Sequence, residues 1–167
     1  MTQYIYISIL IFSIAIIIYD IIYIFYLFSN SRYTSSSLIS RYNTEDKLKT
    51  ISWQNFEKLS MELFARDGWS VRGNEKAGAD GGVDIWMSRK NLLFNTKAIV
   101  QCKRYTKVYV GIKVVREMYG LMYAYGVDRV YIVTTSRYTK ECYKFIKGKN
   151  ITLIDGKELL KLINSKK

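Results

Sequence analysis

Two stretches decide the fold: GADGGVDIWMSR, residues 78–89, and AIVQCKRY, residues 98–105. Each reads as an apolar β-strand that carries polar residues a strand interior disfavours. The first holds Asp84; the second holds Gln101 and Lys103. Side chains alternate across a strand, so Gln101 and Lys103 share one face. Ala98, Val100 and Cys102 share the other and can pack beneath a helix. Asp84 lies between Val83 and Ile85, and pairing the two strands as a hairpin brings it within reach of Gln101 and Lys103. Gly81 and Gly82 just before it permit a bend, a bulge or the close approach of another backbone.

The elements around this hairpin follow from periodicity and punctuation. SWQNFEKLSMELFARDG (52–68) reads as an amphipathic helix with Ser52 as N-cap and Gly68 as the C′ residue. Trp53, Phe56, Leu59, Leu63 and Phe64 fall on its apolar face. WSVRG (69–73), GGVDIWMS (81–88) and KAIVQCKR (97–104) are strands. VGIKVVREMYGLMYAYG (110–126) is a helix, RVYIVTT (129–135) a strand, TKECYKFIKG (139–148) a helix, ITLID (151–155) a strand and GKELLKLINSK (156–166) a final helix. The order predicts an α/β fold: antiparallel strands first, then β-α-β crossovers, in a mixed sheet with helices on both faces.

Before this unit, Tyr4–Phe28 is an almost unbroken apolar run. As a helix it extends roughly 37 Å, more than the ~30 Å hydrocarbon core of a bilayer. A signal peptide would want a positive n-region and a small-residue cleavage site, and neither is present. All 26 Lys and Arg lie after the run, from Arg32 onward. The positive-inside rule then puts the N-terminus outside and the rest in the cytoplasm, as a single-pass protein of the cell membrane. Asp20 is the one charge in the run. It is protonated, faces a partner helix, or is tolerated because it lies off-centre. The organisation expected is an anchor helix over 1–28, a Ser-rich, basic linker over 29–51 and a folded domain over 52–167.

Composition narrows the chemistry. The chain of 167 residues has no His and a formal net charge of +12. Catalysis by Ser-His-Asp or Cys-His and His-ligated zinc are excluded. The charge suggests a polyanionic partner, nucleic acid or an anionic membrane face. Cys102 and Cys142 form no CxxC pair and read as buried thiols. A carboxylate, an amide oxygen and a backbone carbonyl are hard oxygen ligands that suit Mg²⁺. A lysine beside such an ion can orient or deprotonate a water and neutralise charge at phosphorus. A plain Asp84–Lys103 salt bridge is the competing reading.

The segments FEKLSMELFARDGWSV, GADGGVDI, VQCKRY, VREMYG, VYIVTTSRYT and ITLIDGKELL, in this order, resemble the Mrr-like restriction endonuclease catalytic domain of the PD-(D/E)xK nuclease superfamily. The resemblance covers about two-thirds of the chain and implies a restriction-endonuclease-like αβββαβ core, fused here to a transmembrane helix. It implies a Mg²⁺-dependent DNA endonuclease, with Mn²⁺ as a substitute, acting in restriction or defence. Asp84 matches the metal-binding aspartate and Lys103 the catalytic lysine. Gln101 matches a position that is Glu or Asp in many superfamily members, and Glu57 the acidic residue of the first helix. Asp84, Gln101 and the backbone carbonyl of Cys102 would hold the metal.

Arg104, Tyr105 and Lys107, with Tyr109, form a basic and aromatic cluster suited to DNA phosphate contact and stacking. Arg116 pairs with Glu117 or touches DNA. Gly120 is expected to let its helix pack closely on the sheet. Thr134, Thr135 and Ser136 bind phosphate or cap the next helix. Asp80 contributes to the site or shapes the glycine-rich turn. Mrr-like enzymes usually carry a separate DNA-recognition module, whose place the apolar helix takes here, so either the nuclease has little sequence preference of its own or a recognition partner protein supplies it. Cutting both strands needs two active sites, which favours a homodimer. The alternative reading is a non-catalytic module that tethers DNA to the membrane.

Overall fold

The computed structural model describes residues 2–31, 38–74, 82–91 and 94–165. Asp80 and Gly81 lie outside them. The chain divides into two units, Met1–Ser37 and Leu38–Lys167.

In the first unit, helix α1 (Thr2–Ser31) runs 30 residues. Its side chains are described continuously from Phe12 to Ile24, about 20 Å of axis, and all of them are exposed, Asp20 included. Tyr19 and Tyr23 stack one turn apart at 6.4 Å. Among the described residues no helix is long and apolar enough to cross a membrane. The span expected over Tyr4–Phe28 is therefore not shown there.

The second unit holds α2 (Leu38–Arg41), α3 (Glu45–Lys49), α4 (Trp53–Arg66), β1 (Ser70–Gly73), β2 (Ile85–Lys90), β3 (Asn95–Lys103), α5 (Ile112–Ala124), β4 (Arg129–Thr134), α6 (Lys140–Phe145), β5 (Ile151–Ile154) and α7 (Gly156–Asn164). The sheet order is β1-β2-β3-β4-β5. β1, β2 and β3 pair antiparallel; β3, β4 and β5 pair parallel. This is the expected mixed sheet, with the αβββαβ order running from α4 to β4.

Alternation along β3 separates two cores. Ala98, Val100 and Cys102 pack with Phe56, Leu59, Leu63 and Phe64 of α4 and with Leu159 and Ile163 of α7. Ile99 packs on the opposite face with Val115 and Met118 of α5 and Cys142 of α6. The caps of α4 act as their chemistry requires. Ser52 accepts a hydrogen bond from the Asn55 amide, and Gly68 takes φ +87° just past the C-terminus.

Three details differ from expectation. Leu38–Ile51, inside the segment expected as a linker, is part of the folded unit: Leu48 and Ile51 are buried in the α4 core. Trp53, expected on the apolar face of α4, is 46 % exposed because it opens onto a cleft. Gly120 is exposed, and a Cβ there would meet nothing within 4 Å. It has no close-packing role, because α5 presents Val115, Met118 and Met122 to the sheet instead.

Candidate active site

The site forms where β2 begins and β3 ends, against the N-terminal half of α4. Val83 is buried in the α5 core, whereas Ile85, two residues on, is buried in the α4 core. A regular strand would place both on one face. The chain therefore twists at Asp84, just before the β2 ladder begins. Gly82 makes this possible with φ +101°, and a Cβ there would lie 2.5 Å from Gln101 Oε1. Asn74 fixes the turn from β1. Its amide donates to the Asp84 carbonyl at 2.9 Å and its Nδ2 to the Val83 carbonyl at 2.9 Å.

So placed, Asp84 Oδ2 accepts hydrogen bonds from the Cys102 amide at 2.6 Å and from Gln101 Nε2 at 2.5 Å. Gln101 is 4 % exposed. Its amide nitrogen faces Asp84 and its oxygen faces Gly82. Gln101 thus holds the carboxylate in place as a donor, where an oxygen ligand was expected. The Cys102 N–H and C=O point the same way from the strand, so that carbonyl faces the same edge as Asp84.

Glu57 reaches the site from α4 through two anchors. One turn later, Ser60 packs against the Cys102 thiol, which burial pushes up in pKa. Just before the helix begins, the Arg104 Nε donates to the Ile51 carbonyl at 2.5 Å, tying the entry to α4 to the end of β3. Between these anchors the Glu57 carboxyl shares the cleft with Asp84, near enough to feel its charge. Burial first, then the Asp84 charge, raise the Glu57 pKa to about 7. Burial also raises Asp84, opposed by the Cys102 amide, Lys103, Gln101 and Glu57.

Lys103 is half-buried at the strand end and is near enough to act electrostatically on Asp84. Among the described residues it belongs to no ion pair within 4 Å, so the plain salt-bridge reading is not what the geometry gives. Thr134 Oγ1 donates to the Lys103 carbonyl at 2.6 Å. Thr135 Oγ1 does the same to Tyr105 at 2.7 Å and Ser136 Oγ to Val108 at 2.8 Å. These hydroxyls neither cap α6 nor stand free for phosphate; they lace down the segment that follows the lysine.

Glu57, Asp84, Gln101, the Cys102 backbone and Lys103 line one cleft of about 340 Å³, with Trp53, Asn74, Arg104 and Tyr105 at its walls. Arg116 lies apart, over the Phe145 ring at 5.8 Å, and among the described residues makes no ion pair with Glu117. Trp53 and Asn74 escape sequence reasoning: one carries the pattern of a core residue, and the other has no local signature at all.

The donor set was tested for a divalent cation on the carboxyl pair itself. Burial and the Asp84 charge raise the cost of ionising Glu57, and a divalent cation between the two carboxylates would relieve it. With the Cys102 carbonyl they are hard oxygen ligands that fit Mg²⁺. Among the described residues there is no cluster of three or more His, Cys, Asp or Glu side chains that could hold a metal ion; the carboxylates the cleft offers are Glu57 and Asp84.

A sequence model of the restriction endonuclease family, the Mrr catalytic domain, matches residues 48–163. The chain belongs to this family. The match begins where Leu48 and Ile51 enter the core, which accounts for the folding of that stretch with the Mrr catalytic domain. No curated protein sequence matches the chain. Among solved structures, the DNA modification-dependent restriction endonuclease AspBHI is similar, with 18% identity and a TM-score of 0.58 over 75% of this chain and 34% of that one. The protein of unknown function AF1548 is similar at 19% identity and a TM-score of 0.50, over 61% of each chain. The MspJI restriction endonuclease in complex with a 27-mer oligonucleotide aligns at 18% identity and a TM-score of 0.45, over 75% of this chain and 29% of that one. The chain thus spans about a third of AspBHI and three-fifths of AF1548, and at these identities the likeness concerns the fold.

Proposed function

We propose that this chain is a Mg²⁺-dependent DNA endonuclease that hydrolyses phosphodiester bonds in restriction of foreign DNA. The observation that carries the reading is the convergence of Glu57, Asp84 and Lys103 in one cleft, on the scaffold of a restriction endonuclease family. In the mechanism, Asp84 and Glu57 would hold the ion with the Cys102 carbonyl. A bound Mg²⁺, or Mn²⁺ in its place, supplies Lewis acidity and makes water a stronger nucleophile near neutral pH. Gln101 and the Cys102 amide keep Asp84 oriented. The Lys103 ammonium faces the scissile phosphate, orients the attacking water and offsets the charge that grows on the phosphoryl oxygens. Arg104 has a positioning role through Ile51, and Tyr105 and Lys107 flank the cleft toward the DNA.

Membrane anchoring is part of the same proposal. α1 is about 45 Å long as a helix of its 30 residues, and exposed Phe12, Ile17, Ile18, Ile21, Ile22 and Ile24 form an apolar surface of the kind that meets lipid or a partner. With every Lys and Arg after it, the reading places the N-terminus outside and the nuclease in the cytoplasm. Double-strand cutting is assigned to a homodimer, and target choice to a recognition partner. The test is plasmid cleavage by the full chain in Mg²⁺ against Asp84→Asn: the parent cuts and the variant does not. Equal cleavage by both sinks the reading.

A further inference from the structure

Beside the candidate active site lies a second cleft of about 380 Å³, lined by Lys49, Tyr105, Lys107, Tyr109, Arg137 and Lys157. Tyr105 lines both clefts, so they are neighbours along one surface. The second cleft sits at the carboxyl ends of the parallel strands β4 and β5. A Cβ on Gly156 would lie 2.5 Å from the Thr135 carbonyl oxygen. The start of α7 is therefore pressed onto the turn after β4, which puts Lys157 and Arg137 in one cavity wall.

The balance of charge is strongly positive. Glu45 is the one carboxylate lining the cleft, and Lys49 holds it at 2.9 Å. Lys107, Arg137 and Lys157 are exposed, and among the described residues none is in an ion pair. Tyr105 and Tyr109 are 36 % and 53 % exposed. The Thr135 and Ser136 hydroxyls fix the loop between them at the carbonyls of Tyr105 and Val108. Exposed cations beside two presented rings match the two chemistries a nucleotide offers, phosphate charge and a π-face.

We infer that this cleft is a nucleotide subsite, in which Lys107, Arg137 and Lys157 hold backbone phosphates of the DNA strand flanking the scissile bond while Tyr105 and Tyr109 stack its bases. The inference rests on the nuclease reading and adds where the strand goes next.

The test is binding of a labelled single-stranded DNA oligonucleotide to the full chain in EDTA, across about 50–200 mM salt. Arg137→Ala and Lys157→Ala each weaken binding and each lower the slope of log K against log salt by about 1. Arg137→Lys restores the slope. Tyr109→Ala weakens binding about tenfold with the slope unchanged. Lys90→Ala serves as the charge-matched control. It lies at the far end of β2 from Asp84, roughly 20 Å along the strand, and keeps the parental slope. Parental slopes in both Arg137→Ala and Lys157→Ala overturn the subsite. So does unchanged DNA binding with loss of binding to phosphatidylserine vesicles. A chain that passes these tests but never cuts DNA in Mg²⁺ keeps the subsite and loses the nuclease reading.

Discussion

The Glu57 carboxyl on α4 faces Asp84, just before β2, closely enough that burial and the Asp84 charge together raise its pKa to about 7. This pair sets the pH behaviour of the protein. Glu57 titrates near 7 in the folded state against 4.5 ordinarily. A raised carboxyl pKa means that the folded state binds more protons than the unfolded one inside that window. Its contribution to stability is then fully present below about 4.5 and is lost as pH rises through about 7. Thermal melts in EDTA should show the midpoint falling across this window, and Glu57→Gln should flatten the fall. Mg²⁺ should bind more tightly as pH rises through the same window, because the ion displaces the proton. Calorimetry that shows no proton release on Mg²⁺ binding would contradict the pairing.

Gln101 donates to Asp84 from a buried position, so a carboxylate in its place removes a donor and adds a like charge. Gln101→Glu should lower the melting temperature in EDTA. It should also tighten Mg²⁺ binding, since a third carboxylate joins the pair. Titration with Mg²⁺ that finds an affinity no tighter than the parent's would remove Gln101 from the account of the metal.

Gly82→Ala meets two obstacles at once: a left-handed backbone and a Cβ 2.5 Å from Gln101 Oε1. The expected cost is about 1–3 kcal/mol by denaturant unfolding. The Gln101 side chain is the part that can yield, so Asp84 loses its donor and cleavage falls further than stability alone explains. Activity and stability at parental levels would show that the turn is not held as described.

Much of this arrangement is legible locally. The alternation through Ala98, Val100 and Cys102 against Gln101 and Lys103 announces a strand with a polar face, and Ser52 and Gly68 bracket α4 by capping chemistry. What stays hidden is set by partners distant in the chain. Ile51 is buried by packing in the α4 core, and its carbonyl is taken by Arg104, 53 residues later. The Thr134, Thr135 and Ser136 hydroxyls look like a phosphate loop or a cap until the carbonyls of Lys103, Tyr105 and Val108 lie opposite them. Arg116 sits near the site in a sequence reading, yet its helix turns it onto Phe145. Gly120 shows the same limit in reverse: a glycine among apolar residues invites a packing role that an open surface refuses.

That open surface gives a prediction of its own. Gly120 is in the middle of α5, exposed, with room for a side chain. Gly120→Ala should stabilise the protein by about 0.5–1 kcal/mol, by removing backbone freedom from the unfolded chain. A loss of stability in chemical denaturation would mean that the face is covered.

The most direct test of the central claim concerns Lys103. Full-length protein and Lys103→Ala are incubated with supercoiled plasmid in Mg²⁺ and in EDTA, with DNA binding measured separately in EDTA. The account predicts nicked or linear plasmid only from the parent in Mg²⁺, with the variant still binding DNA. Plasmid bound and intact under every condition, or cut as fast by Lys103→Ala as by the parent, would contradict it.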